Sequence, residues 1–335
     1  MFSFPRIAWF AAALLPALSA QAQRGYVPQG RVTGTVRVWG SAQMQELMRL
    51  WEAGFHRYQP GVRFEERLKG TVSAMGGLYA GAAGLALMGR EIWPEETLAY
   101  TQVTGAAPTG VEVAMGSFDV PTKADALMVF VARNNPLAQI RFGQLAALFG
   151  CGDREPPTWS QAGATGQFGT QPVHVYGYLP DNAAARFFQS RVLRGAPWNC
   201  RLNAFGNLQT KAGGRVDAGR QIVDALAADP LGIAIANIHY ATPAVKALAL
   251  SEGPGLPFVA PDQIDYAAGR YPLTRSVFIY FHCESSKAGC SPADKQLVVH
   301  AAALRGDGEP DVSAGRGVFE GIVEEVDDAA RPWRH

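Results

Sequence analysis

"GTVRVWGSAQMQELMRLWEAGFHRYQPGVRFEERL", residues 34–68, changes its hydrophobic period twice. Val36 and Val38 alternate with polar neighbours and run into Gly40, the pattern of a half-buried strand that ends in a tight turn. From Met44 the spacing becomes three and four, through Leu47, Met48, Trp51 and Phe55, which predicts an amphipathic helix. Pro60-Gly61 stops that helix, and "VRFEERL" reads as a second strand.

The same alternation continues outward. "LALM" at 85–88 reads as a short apolar strand, "ALMVFVA" at 126–132 as a nearly continuous one, and "FGQLAALFG" at 142–150 as a short helix. "PVHVYGY" at 172–178 is a strand, 183–193 a helix, "GRQIVDALAADP" a helix and "LGIAIANI" a strand. Near the end "SVFIYFH" is a strand and "ADKQLVVHAAAL" a helix. Runs this apolar suit strands buried on both faces, and strands alternating with helices predict the α/β class. The glycine- and proline-rich pieces at 151–170 and 252–262 read as loops or connections between lobes.

The beginning of the chain sets an expected compartment. Arg6, the apolar run from Ile7 to Leu18 and the small-x-small Ala20-Gln21-Ala22 form a secretory signal peptide over residues 1–22. That run is shorter than the roughly 20 residues a membrane span needs, so the expected location is the periplasm. Residues 23–33 read as a polar lead-in. What remains is too long for one compact core and suits two lobes.

A formal net charge of +1 offers no basic surface for nucleic acid. Four cysteines suit an oxidising compartment. A local bridge could close the loop between Cys283 and Cys290, which leaves Cys151 and Cys200 as the remaining pair. No cysteine or histidine spacing matches a metal pattern, and no cofactor motif is present, so neither a metal nor a cofactor is expected.

"LKGTVSAMGGL", residues 68–78, places Thr71 and Ser73 directly behind Gly70 at a predicted helix start. Unpaired N–H groups at such a start favour an anion, and short hydroxyls add donors without filling space. Thr71 could equally be an ordinary N-cap. Arg90, in "GREIWPEE", could grip two oxygens at once or pair on the surface with Glu91 or Glu95.

The order of these landmarks resembles the phosphate-type solute-binding proteins of ABC importers. "VWGSAQMQELMRLWEAGFHRYQPGVRFE" is similar to that family's first strand, glycine-serine turn and tryptophan-containing helix. "KGTVSAMGGLYAGAAGLALMGREIWPEE" resembles its hydroxyl-rich helix start, small-residue strand and following Ser-Arg-Glu segment. "KADALMVFVARNNPLAQIRFGQLAALFG" resembles the start of its second lobe, and "YPLTRSVFIYF" its late returning strand.

The resemblance implies a two-lobed periplasmic binding protein of type II, a Venus flytrap with central mixed sheets flanked by helices. Lobe 1 would hold 35–122 plus 246–335, and lobe 2 would hold 123–245. It implies a monomer, not an enzyme, that delivers a small phosphate-like anion to a membrane ABC permease. The implied ligand positions are Gly40, Ser41, Gly70, Thr71, Ser73 and Arg90 in the first lobe, with Asn182 capping and Ala183 opening a helix in the second.

The sequence also departs from the family pattern. Tyr178 stands where the family carries a second-lobe arginine, and Asn182-Ala183-Ala184 replaces Ser-Gly-Thr. Gly84 and Gly89 replace an acid and a serine. Asp181 would repel an anion unless it accepts a proton from one, which would select monohydrogen phosphate over sulfate. Arg186, one turn into the helix from Ala183, could compensate for the lost donors, though its expected direction is solvent. Tyr178 is expected to offer its ring to an organic ligand, and Tyr271 to sit in a hinge or core. Two other readings stand beside the importer role. One is the same scaffold used as a sensor or interaction module with another ligand or none. The other is a hydrolase, for which no nucleophile motif is present.

Overall fold

The computed structural model describes residues 26–119, 126–152, 156–210, 213–282 and 291–304. The predicted signal peptide and the Cys283–Cys290 loop lie outside the described residues.

The chain alternates β1 (Gly34–Gly40), α1 (Gln45–His56), β2 (Val62–Arg67), α2 (Thr71–Tyr79), β3 (Leu85–Met88), α3 (Pro94–Thr104) and β4 (Thr109–Met115). Its middle runs β5 (Leu127–Ala132), β6 (Gln139–Arg141), α4 (Phe142–Phe149), α5 (Gly166–Gly169), β7 (His174–Tyr178), α6 (Ala183–Arg191) and β8 (Asn203–Phe205). It continues through β9 (Leu208–Gln209), β10 (Arg215–Val216), α7 (Ala218–Ala227), β11 (Gly232–Asn237), β12 (Val245–Ala247), β13 (Ala249–Ser251) and α8 (Gln263–Ala267). β14 (Ser276–Phe281) and α9 (Pro292–Leu304) complete the described part.

Among the described residues, two five-stranded sheets dominate, with strand orders β2-β1-β3-β14-β4 and β12-β5-β11-β7-β8. In the first, β1 lies parallel to β2 and β3, while β14 is antiparallel to β3 and β4. In the second, β11 is parallel to β7 and antiparallel to β5. Both sheets are therefore mixed and helix-flanked, as expected.

The stripe read at 44–55 is the buried face of the first helix: Met48, Trp51 and Phe55 pack with β1, β2, β14 and α9. Removing each such side chain from water contributes about 1.5–3 kcal/mol. Met44 itself belongs to a short 3-10 turn, Ala42–Met44, that precedes α1. The opposite face of the first sheet is covered by Ala74, Met75, Leu78 and Tyr100 from α2 and α3. The second sheet has its own core, including Phe130, Leu148, Phe188, Ile222 and Ile235. Trp159, in the stretch read as a loop, is completely buried in that core, because a 3-10 turn over Trp159–Ala162 folds it inward.

The chain returns to the first sheet later than the sequence suggested. β12 pairs with β5, and Leu248, Leu250, Tyr266, Tyr271 and Leu273 all belong to the second core, well beyond the expected boundary at 246. Apolar spacing marks that these residues are buried but not which sheet they cover. The two crossings run side by side, since the Gly116 N–H donates to the Arg275 carbonyl at 2.8 Å.

Cys151 and Cys200 are free and exposed, so the pairing reached by elimination is not formed. The reason is register: Gly150 bridges Trp198, and the Cys151 N–H donates to the Pro197 carbonyl at 2.8 Å. Cys151 thus faces Pro197, and Cys200 lies further along the other segment. A disulfide needs Cα atoms within about 7 Å and Cβ vectors that converge.

Candidate functional site

Parallel strands β1 and β3 end together, with Gly40 opposite Leu87. A side chain at Gly40 would collide with the Leu87 carbonyl. The Gly70 N–H donates to the Gly40 carbonyl at 2.9 Å, which draws the start of α2 onto the end of β1. Gly70 has φ 140°, ψ 152°, a region only glycine visits without strain. In α/β sheets ligands collect in the crevice beyond the carboxyl ends of strands, and this is such an edge.

Gly40, Ser41, Gly70, Thr71 and Ser73 therefore cluster at one corner. Ser41 is buried; its N–H donates to the Leu87 carbonyl at 3.1 Å, and its Oγ accepts a long 3.4 Å bond from the Gln43 N–H. That second bond uses an oxygen lone pair and leaves the O–H able to donate. Gly70 is the N-cap of α2 and supplies no side-chain cap, so Thr71 is the first residue inside the helix and not its cap. Ser73 differs from the expectation: its Oγ donates to the Gly70 carbonyl at 2.7 Å, so its one proton is already committed.

Arg90 follows β3 and is buried, not at the surface. Its guanidinium grips Glu96 with two bonds, Nη1 to Oε2 at 2.8 Å and Nη2 to Oε1 at 2.7 Å, and Nη1 also donates to the Glu91 carbonyl. The two-oxygen clamp foreseen for a ligand is thus occupied by an internal carboxylate, which is neither Glu91 nor Glu95. Glu96 Oε2 also accepts from the Trp93 N–H at 2.9 Å, fixing the first turn of α3. The segment is pinned from behind, where the Ile92 N–H donates to the Tyr280 hydroxyl at 2.8 Å. Burial raises the pKa of that phenol.

The second lobe contributes the start of α6. Asn182 is its N-cap, and its Oδ1 accepts from the Ala184 N–H at 2.8 Å; Ala183 is the first helical residue. Tyr178, at the end of β7, does not offer its ring to an opening. It is buried, donating its hydroxyl to Asn237 Oδ1 at 2.6 Å and accepting from the Asn237 N–H at 3.1 Å. Tyr271 is buried in the second core. Asp181 is exposed.

Arg186 reverses its expectation. It reaches the first lobe, where Nη2 pairs with Glu95 Oε1 and the guanidinium lies 4.0 Å from the centre of the Trp93 ring. Arg90 lies over the same ring at 3.7 Å. Trp93 and Glu96 are the residues that sequence reasoning passed over, and Glu95, weighed there as a surface partner of Arg90, pairs with Arg186 instead. Their signal was a helix start with Pro94 at its first position and acids in its first turn, two residues after Arg90 and Glu91.

At Gly84, where the resemblance implies an acid, the Asp294 carboxylate of α9 comes within 2.8 Å of where a Cβ would stand. Burial raises the pKa of that carboxyl. Among the described residues no group of three or more His, Cys, Asp or Glu is placed to hold a metal ion, and no helix is long and apolar enough to cross a membrane.

Residues 27–296 match the model of the PBP superfamily domain. The chain is 28% identical over 267 residues to the phosphate-binding protein PstS of Pseudomonas aeruginosa, covering 78% of this chain and 76% of that protein. Among solved structures it is similar to PstS from Borrelia burgdorferi, with a TM-score of 0.52 and 13% identity over 87% of this chain and 96% of that one.

Proposed function

The chain belongs to the PBP superfamily, and from that premise we propose that it captures phosphate or a related tetrahedral oxyanion in the periplasm and delivers it to a membrane ABC permease. The relative in Pseudomonas aeruginosa is a phosphate-binding protein, which supports the choice of solute. One observation carries the reading: the Gly70-to-Gly40 bond brings an uncapped helix start and the Ser41 hydroxyl to the carboxyl edge of β1 and β3. Backbone N–H groups of Thr71 and Val72, with the Ser41 and Thr71 hydroxyls, are the donors assigned to the anion. The Ala183 N–H would complete its enclosure from the second lobe. Ser73 shapes the turn, and Arg90 shapes the α3 start while its charge remains held by Glu96.

Titration calorimetry with phosphate, arsenate, sulfate and phosphonates tests this. Micromolar or tighter phosphate binding is the expected result, and silence across all four refutes it. The internal carboxylates on Arg90 and Arg186 favour one second reading, a scaffold of the same family used as a sensor or interaction module with a different ligand or none. Silence toward every oxyanion would favour it.

A further inference from the structure

The two arginines over Trp93 are held very differently. Arg90 and Glu96 are 6% and 16% exposed and joined by two bonds, with Glu96 further tied to the Trp93 backbone. Arg186 and Glu95 are 32% and 56% exposed and belong to opposite lobes. A buried bidentate pair is costly to break because either charge would be stranded. An exposed pair is screened, contributes little to stability and is easily exchanged.

The second lobe also carries no arginine at the position where the resemblance implies one. The position that the family resemblance assigns to a second-lobe arginine is Tyr178, and its hydroxyl is turned into the core against Asn237. Arg186 sits one turn into α6, its N–H bonded to the Asn182 carbonyl at 2.9 Å, on the helix whose start the proposed function assigns to the second-lobe side of the site. The Trp93 ring lies 4.0 Å from the guanidinium and holds it by a cation–π contact that is separate from its ion pair.

We propose that Arg186 is the second lobe's cation for the bound oxyanion and that Glu95 occupies it when the cleft is empty, so that solute enters by exchange against a carboxylate of the other lobe. This rests on the oxyanion-binding reading above. The guanidinium accepts either a carboxylate or a phosphoryl oxygen with the same fork of donors. Glu95 is therefore a built-in competitor: it sets a threshold below which the site prefers its own side chain. Its exchange also makes the contact between the lobes respond to occupancy. The Glu95 carboxyl is held below the usual carboxylate range by its own backbone N–H and by Arg186, so it remains a charged competitor at neutral pH.

The test is calorimetric titration of the full mature chain with inorganic phosphate, in the wild type, Glu95→Gln, Arg186→Gln and the double variant. Expected results are about tenfold tighter binding for Glu95→Gln and about tenfold weaker binding for Arg186→Gln, with the double variant matching Arg186→Gln. A pair that only clasps the lobes would make both single substitutions shift affinity in the same direction, which overturns the exchange. Wild-type binding that neither substitution changes overturns it as well, while leaving the oxyanion reading intact. No phosphate, arsenate or sulfate binding by the wild type removes that reading, and the exchange with it.

Discussion

The helix starts of α2 and α6, both assigned to the oxyanion in the proposed function, are built with opposite chemistry. α2 opens on a glycine that has no side chain to cap it, while α6 opens on Asn182, whose Oδ1 takes the Ala184 N–H. A capped start is the more stable, because one of its orphan donors is satisfied within the protein. An uncapped start keeps its donors for something else. The α2 start at Gly70–Thr71 therefore has no side-chain acceptor for its donors, whereas the α6 start has one. The arginines repeat the contrast: in the first lobe Arg90 is locked onto Glu96, and in the second Arg186 is held by a carboxylate it can release.

Substitutions can break or sharpen this contrast. The largest effect is expected of Gly70→Ala, since φ 140° admits no other residue without strain of about 1–3 kcal/mol. The melting temperature should fall and phosphate affinity should drop about a hundredfold. Unchanged calorimetric affinity would mean that the α2 start is not the anion's seat. Thr71→Val comes next: loss of a hydroxyl that caps nothing should weaken phosphate about tenfold, roughly 1.4 kcal/mol, with an unaltered thermal melt. Were the melt to fall and the affinity to hold, the hydroxyl would be structural.

Asn182→Ala should show the reverse balance. Removing the cap costs about 1 kcal/mol of stability in denaturant titration, and because the Ala184 N–H is released, affinity should move less than about threefold. An affinity loss as large as that of Thr71→Val would erase the difference between the two starts. The smallest effect is expected of Tyr178→Phe. Losing the hydroxyl's bonds to Asn237 should lower stability by about 0.5–1.5 kcal/mol and leave ligand titrations superimposable on the wild type. A change in ligand preference would instead place this ring at the solute.

The first-lobe corner was legible in the sequence because its requirements are local. Gly40 and Gly70 are glycines for reasons of close approach and φ, and a short hydroxyl after each is visible in the chain itself. The α1 stripe was legible for the same reason, as a period. Partner choice was not legible. Glu91, Glu95 and Glu96 are equivalent in sequence, and the selection of Glu96 by Arg90 depends on how the first turn of α3 is oriented by Trp93 and Pro94. Arg186 was assigned to solvent because nothing in α6 announces that an indole from another lobe stands opposite. Tyr178 was placed at the site because it stands where the resembled family carries an arginine, yet its ring follows the inward side of β7. The late return at Leu273 was missed because burial alone names no sheet.

β14 lies between β3 and β4, but in the chain it follows the whole of the other lobe. Until residues 276–281 are available, β4 has no neighbour to join it to β1–β3. The second sheet, by contrast, draws all its strands from one continuous stretch, 127–247. Its strands can assemble while the first sheet still waits for its keystone. During synthesis the middle of the molecule is thus able to mature before the beginning, and a nascent chain stopped short of Ser276 would carry a finished second sheet beside an open-edged first one.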